Sequence, residues 1–351
     1  MADLRHLTSA RKPLRILIVG PSWVGDMAMA QSLFISLKQS IPDCLIDVLA
    51  SAWSLPLLDR MPEVSKAIVM PLNHGQFGLM TRIKLGQQLQ SEHYDQAIVL
   101  PNSWKSVLIP FFANIPLRTG YLGECRWGLL NDIRQLDKNV LTMTVQRFIA
   151  LGLPKKATQP PDYKQPSLPS NKSGQDAVIQ KFGLTRSEKT LALCPGAEYG
   201  PSKRWPAEYF AKVAQAKIQH GWQVWLLGSE KDKESADAIN KLTNHQCRDF
   251  IGHTSLAEAV DIMSLANTVI ANDSGLMHLA AALDKNVIAI YGSTLPEFAP
   301  PLCTKAQTVF LNIPCSPCRR RVCPLYPVGH KDHTQCLTEI KPERILELIG
   351  D

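Results

Sequence analysis

The chain has 351 residues, 45% of them hydrophobic and 20% charged, enough to bury a sizeable core and better suited to two domains than to one. No run approaches the roughly 20 apolar residues of a membrane-spanning helix, and residues 1–13 lack the apolar centre and cleavage site of a signal peptide, so a cytoplasmic protein is expected. The formal charge of +7 is uneven, with 18 Lys and Arg against 12 Asp and Glu in residues 1–165 and 20 against 19 in residues 166–351; either the first half meets an anionic partner or its charge is simply solvated.

A phosphorylated lipid surface fits that asymmetry better than nucleic acid. The basic residues are dispersed, without the interleaved aromatics of single-strand binders, so no nucleic-acid partner is expected.

Apolar runs rich in β-branched residues predict strands at 16–19, 45–49, 67–70 and 97–100, and again at 191–194, 224–227, 268–271 and 287–291. Their alternation with helical patterns is the signature of βαβ units around parallel sheets. Between the two groups, prolines at 154, 160, 161, 166 and 169 mark a linker that can neither continue a helix nor pair centrally in a sheet. Two doubly wound domains joined in this way would place the chemistry in loops after strands, around one cleft.

The first such loop, Gly20-Pro-Ser-Trp-Val-Gly-Asp26, has the glycine spacing of a phosphate-cradling loop, but Asp26 and Met27 stand where that motif needs Lys and Ser or Thr. No G-x-G-x-x-G fingerprint is present either. The predicted helix runs from about residue 27 to 40. Asp26 at its start is either a general base held ionised by the helix dipole or a plain helix cap.

Apolar residues 107–112, next to Lys105, read as a buried helix, with contact to lipid as the alternative. The second loop, residues 194–206, is rich in Gly and Pro and carries Lys203 and Arg204 before Pro206, the predicted first residue of a helix to about 219. Glycine N–H groups with a lysine suit a diphosphate, and a solvated basic loop is the other reading. In the third, Asn272-Asp-Ser-Gly-Leu-Met-His278, a predicted helix starts near Leu276. Gly275 allows close approach, Ser274 can cap or donate, and the helix start attracts anions. Asp273 is either a hydroxyl acceptor or an N-cap, and His278 either faces the same mouth or is an ordinary buried histidine.

Five of nine cysteines are scattered as reduced thiols would be. Cys315, Cys318, Cys323 and Cys336, with His330 and His333 between, are dense enough to raise a structural zinc site. The expected reading is no metal, with reduced thiols packing a proline-rich loop.

These three loops, in this order and spacing, resemble the heptosyltransferases of glycosyltransferase family 9 over nearly the whole chain. The most telling pieces are Gly25-Asp26, Pro195-Gly-Ala-Glu198 with Lys203-Arg-Trp-Pro206, and residues 272–281; residues 103–106, 118–121 and the stretch near Cys315 look like the type II branch. The resemblance implies an α/β fold of the GT-B class, two Rossmann-like doubly wound parallel-sheet domains facing a central cleft. Residues 1–165 would bind the acceptor and residues 166–351 ADP-heptose.

By the same resemblance Asp26 is the base, Lys203 contacts the donor diphosphate and Asp273 holds the heptose. Ser274, Gly275, Leu276 and His278 surround the phosphates, Gly196 belongs to the cradle, and Glu230 binds the ribose. Lys105 and Arg118 are assigned to the acceptor.

The implied reaction is an inverting transfer of L-glycero-D-manno-heptose from ADP-heptose onto the first heptose of a phosphorylated lipopolysaccharide inner core, heptosyl-Kdo2-lipid A. It requires no cofactor, and it leaves open a peripheral contact at the cytoplasmic face of the inner membrane. A family 9 enzyme with another core acceptor, a nucleotide-sugar epimerase and a non-catalytic nucleotide-sugar binder stand as alternatives.

Overall fold

The computed structural model describes residues 12–73, 75–155 and 159–350. Most of the amino-terminal segment read above, and residues 156–158 of the proline-rich segment, lie outside the described residues. The chain divides into two compact units. The first comprises the described parts of Met1–Ser22, Leu33–Val140 and Arg147–Tyr163, and the second Trp23–Ser32, Leu141–Gln146 and Lys164–Asp351.

The first unit carries β1 (Arg15–Val19), the carboxy-terminal half of α1 (Val24–Ser40), β2 (Leu45–Ser51), α2 (Leu55–Leu58), β3 (Lys66–Met70), α3 (Leu79–Leu89) and β4 (Gln96–Val99). After these come α4 (Leu108–Phe112), β5 (Leu117–Tyr121), β6 (Asp132–Arg134) and α5 (Thr144–Gly152), whose first turn groups with the second unit. All six strands are parallel, in the order β3-β2-β1-β4-β5-β6. Leu17, Val19, Ala97 and Val99 sit at the centre of the core.

The second unit holds α6 (Lys172–Phe182), β7 (Thr190–Cys194), α7 (Ala207–Gln219), β8 (Gln223–Leu226), α8 (Lys233–Leu242), β9 (Arg248–Asp249) and α9 (Leu256–Leu265). It continues with β10 (Thr268–Asn272), α10 (Gly275–Ala282), β11 (Asn286–Tyr291), β12 (Ala306–Phe310), α11 (Gln335–Thr338) and α12 (Pro342–Ile349). This sheet is also parallel, in the order β12-β11-β10-β7-β8-β9. Every residue of β7 and β10 is buried, as expected of strands covered on both faces and written as unbroken apolar runs.

Both sheets share one topology, and in each the strand order reverses once, between β1 and β4 and between β7 and β10. Ligands of open parallel sheets bind outside the carboxyl ends of strands at such a reversal. The three loops singled out in the sequence follow β1, β7 and β10, so all three emerge beside a switch point.

Most of α1 residues 23–32 are buried, among them Met27, Ala28, Met29 and Ala30. Two polar residues in this stretch hold the backbone of the proline-rich segment. Gln31 exchanges bonds with Ser167 (2.8 and 2.9 Å) and Ser32 Oγ donates to Lys164 O (2.6 Å). A stretch so largely buried and clipped in this way becomes part of the second unit.

Candidate active site

Asp26 is the third residue of α1 and lies in its first turn. The helix begins earlier than predicted, at Val24, and Met27 N–H already donates to Trp23 O at 2.9 Å. Asp26 is therefore inside the helix rather than at the cap position, which removes the capping explanation. Burial pushes its carboxyl up to about 6, against a pull downward from the Lys203 ammonium and a push upward from Asp273. It keeps part of its surface accessible, so a substrate hydroxyl can reach it.

Gly25, next to it, is required by close packing. A Cβ there would lie 2.4 Å from His278 Cδ2, and a Cβ on Gly275 would lie 2.8 Å from Val24 Cβ. The starts of α1 and α10 thus meet through two glycines. Two helix amino termini brought together make a region of positive potential, and it surrounds Asp26, Asp273 and Lys203.

Lys203 Nζ donates to Asp273 Oδ2 at 2.5 Å, with both side chains largely buried. Its ammonium also stands 4.9 Å from the centre of the Tyr199 ring, which Arg321 faces as well. The loop carrying Lys203 is fixed by Asn272, which is fully buried. Its Oδ1 accepts from Trp205 N–H (3.0 Å) and its Nδ2 donates to Pro195 O (2.7 Å), clipping both ends of the loop.

Ser274, not Asp273, is the N-cap of α10, and its side chain makes no cap bond. Its hydroxyl is buried without a hydrogen-bond partner. The N–H groups of Gly275 and Leu276 lie in the first turn, where a helix offers its amides no internal acceptor. An orphan hydroxyl and free amides at a helix start fit a diphosphate. His278 is buried, and burial first, then Lys203, lowers its imidazole to about 4 against the opposing pull of Asp273. It is neutral at physiological pH and contributes shape and a hydrogen-bonding nitrogen, not charge.

The remaining candidates have other neighbours. Gly196 is occupied by packing, since a Cβ would meet the Asp232 carboxylate at 2.3 Å. Asp232 Oδ2 in turn accepts from Ser229 N–H and Oγ, each at 2.9 Å. Glu230 is exposed after β8, its carboxylate lying over Gly252. Lys105 and Arg118 belong to the first unit. Arg118 turns Nε onto Leu129 O (2.6 Å) and Nη1 onto Ile115 O (2.5 Å) and faces Phe111, so its fork braces backbone before and after β5. Lys105 Nζ reaches Gln76 O at 3.5 Å.

Cys315, Cys318, Cys323 and Cys336 line one small cavity. Among the described residues, no three His, Cys, Asp or Glu side chains stand so as to hold a metal ion. The loop they belong to supports its neighbour: Tyr199 Oη donates to Arg319 O (2.9 Å) and Ser202 N–H to Arg321 O (3.2 Å). Residues 107–110 are buried, as the sequence suggested, with Phe111 half-exposed. No helix among the described residues is long and apolar enough to cross a membrane.

A family model described as glycosyltransferase family 9 (heptosyltransferase) matches residues 82–328. The chain belongs to this family. It is 43% identical to lipopolysaccharide heptosyltransferase 2 of Salmonella typhimurium, covering 95% of this chain and 97% of that relative. It is 45% identical to lipooligosaccharide heptosyltransferase 2 of Haemophilus influenzae, covering 96% and 99%. Among solved structures, that of E. coli ADP-heptose lps heptosyltransferase II superposes with a TM-score of 0.84 at 40% identity, covering 96% of this chain and 97% of that one. The protein is a glycosyltransferase with the GT-B fold.

Two residues at the site escaped the sequence reading as functional. Asn272 stands in the sequence as the first residue of the third loop with no role of its own, and Thr294, whose Oγ1 donates to Asp273 Oδ2 at 2.5 Å, carries no sequence signal at all. Only the sheet order, which sets β11 beside β10, brings the loop of Thr294 to Asp273.

Proposed function

We propose that this family 9 enzyme moves heptose from ADP-heptose onto the first heptose of a phosphorylated lipopolysaccharide inner core, with inversion at the anomeric carbon. The observation that carries the reading is the charge cluster itself: a partly reachable carboxylate, Asp26, within electrostatic range of the Lys203–Asp273 pair and beside the open amides of α10. Its close relatives bear heptosyltransferase 2 names.

Asp26 accepts the proton of the acceptor hydroxyl as that oxygen bonds to the anomeric carbon. The bond from that carbon to the diphosphate oxygen breaks, and its electron pair leaves with ADP. A stable anion departs, so no protonating acid is required. The remaining N–H donors of Lys203, the Ser274 hydroxyl and the Gly275 and Leu276 amides meet the charge that grows on the diphosphate. Fixed donors aimed at developing charge are among the largest contributions to rate. Asp273 accepts from a sugar hydroxyl, Glu230 takes the ribose, and Lys105 with the basic first half meets the phosphorylated acceptor, at the cytoplasmic face of the inner membrane.

Incubation with ADP-heptose and purified core acceptors truncated before and after the first heptose, followed by mass spectrometry, tests the reading. One added heptose on the heptosyl-Kdo2-lipid A acceptor is expected. Addition only to an acceptor lacking that heptose would assign the protein to a sibling specificity, and donor binding without product would make it a sensor.

A further inference from the structure

The loop after β11 touches Asp273 and the residue before Lys203 through two adjacent hydroxyls. Thr294 Oγ1 donates to Asp273 Oδ2, the same oxygen that accepts from Lys203. Ser293, fully buried, has its Oγ 3.0 Å from the Oγ of Ser202, the residue preceding Lys203. The single proton of the Ser202 hydroxyl goes to Arg320 O, so Ser293 is the donor of that pair. The dipeptide is itself pinned, since Arg319 N–H donates to Ser293 O (2.7 Å) and Ser316 Oγ to Gly292 O (2.5 Å).

We propose that Ser293 and Thr294 are positioning residues, one holding the backbone that carries Lys203 and the other sharing the charge of Asp273, so that Lys203 keeps N–H groups free for an anionic ligand beside Asp26. The inference rests on the donor reading above only for the identity of that anion.

A carboxylate with two donors divides its pull between them. Without the threonine hydroxyl the whole charge of Asp273 falls on Lys203, which is drawn away from any phosphate. The negative potential at Asp26 also deepens. The charged groups that act on Asp26 are Lys203, from the loop after β7, and Asp273, from the loop after β10; His278 on α10 is neutral. A hydrogen bond to a charged group is worth roughly 1.5–3 kcal/mol, which corresponds to about a tenfold change or more in affinity.

The test uses the full chain with Thr294→Val, which keeps shape and removes the donor, and Thr294→Ser, which restores it. Carboxyl-carbon NMR, with Asp26→Asn identifying the resonance, follows the titration of Asp26. The midpoint is expected to rise in the valine variant and to return in the serine variant. A valine variant titrating at the wild-type midpoint would overturn the proposal. Calorimetry with ADP provides the second readout, with affinity expected to weaken roughly tenfold in Thr294→Val. A wild-type chain that does not bind ADP would count against the donor reading while leaving the midpoint test intact.

Discussion

Asp26 trades stability for reactivity. Its folded carboxyl titrates near 6, whereas an unfolded aspartate titrates near 3.9, so the folded chain binds this proton more tightly. The resulting stabilisation is complete below about pH 4 and is lost as the pH rises through 6, leaving a cost on the order of 3 kcal/mol at neutral pH. Asp26→Asn should therefore melt several degrees higher than wild type at pH 7.5 and show no advantage near pH 4, while transfer falls by roughly 10² to 10⁴. An unchanged rate in that variant would remove Asp26 from the chemistry. Lys203 lowers the Asp26 titration, so Lys203→Ala should move the acidic limb of kcat/KM above 6 as well as lower turnover by roughly 10² to 10³. Lys203 and Asp273 stand out in the sequence as charged residues in loops after strands, with a solvated loop and an N-cap as the other readings, and the structure pairs them. Asn272 and Thr294 were not, since a buried amide and a hydroxyl look ordinary until their partners are known.

At the level of elements, the eight strands read from apolar runs all exist; seven are inner strands, which leave a continuous hydrophobic trace when buried on both faces, and the eighth, β3, is a half-exposed edge strand with an apolar sequence. The unread ones are β6, β9 and β12, which are outermost, and β5, next to an edge; among them are polar or very short sequences such as Asp132–Arg134 and Arg248–Asp249. Helix starts were less legible: α1 begins three residues before its predicted start, and Pro206 precedes α7 as its N-cap instead of opening it. The contact between the starts of α1 and α10 was invisible in the sequence, and it gives a sharp test. Gly25→Ala places a methyl against a buried ring, and overpacking of this kind costs roughly 1–3 kcal/mol. A lowered melting temperature together with a steep loss of transfer is expected, and a fully active, equally stable Gly25→Ala protein would show that the two helix starts need not approach so closely.

Across the whole molecule, two parallel-sheet units were legible because strand and helix patterns repeat along the chain, and their connection because prolines cluster there. The charge asymmetry carries a measurable consequence. With an excess of six positive charges in residues 1–165 and one in residues 166–351, acceptor KM should rise with added salt well before donor KM does, since exposed charges are screened within about 10 Å at 0.1 M. Equal salt dependence for both substrates would contradict that division of labour. The sequence did not reveal that residues 23–32 group with the second unit although β1, just before them, belongs to the first.

That interleaving constrains how the protein can be cut. A fragment beginning at residue 164 would lack the decapeptide that lines a cavity with Pro166, Ala281 and Ala282 and receives the backbone of the proline-rich segment, and with it would go the Asp26 carboxylate. Such a half should emerge from expression as a sticky, poorly folding piece, curable by supplying the missing helical segment. The genealogy written in the prolines is therefore a poor guide to the scissors.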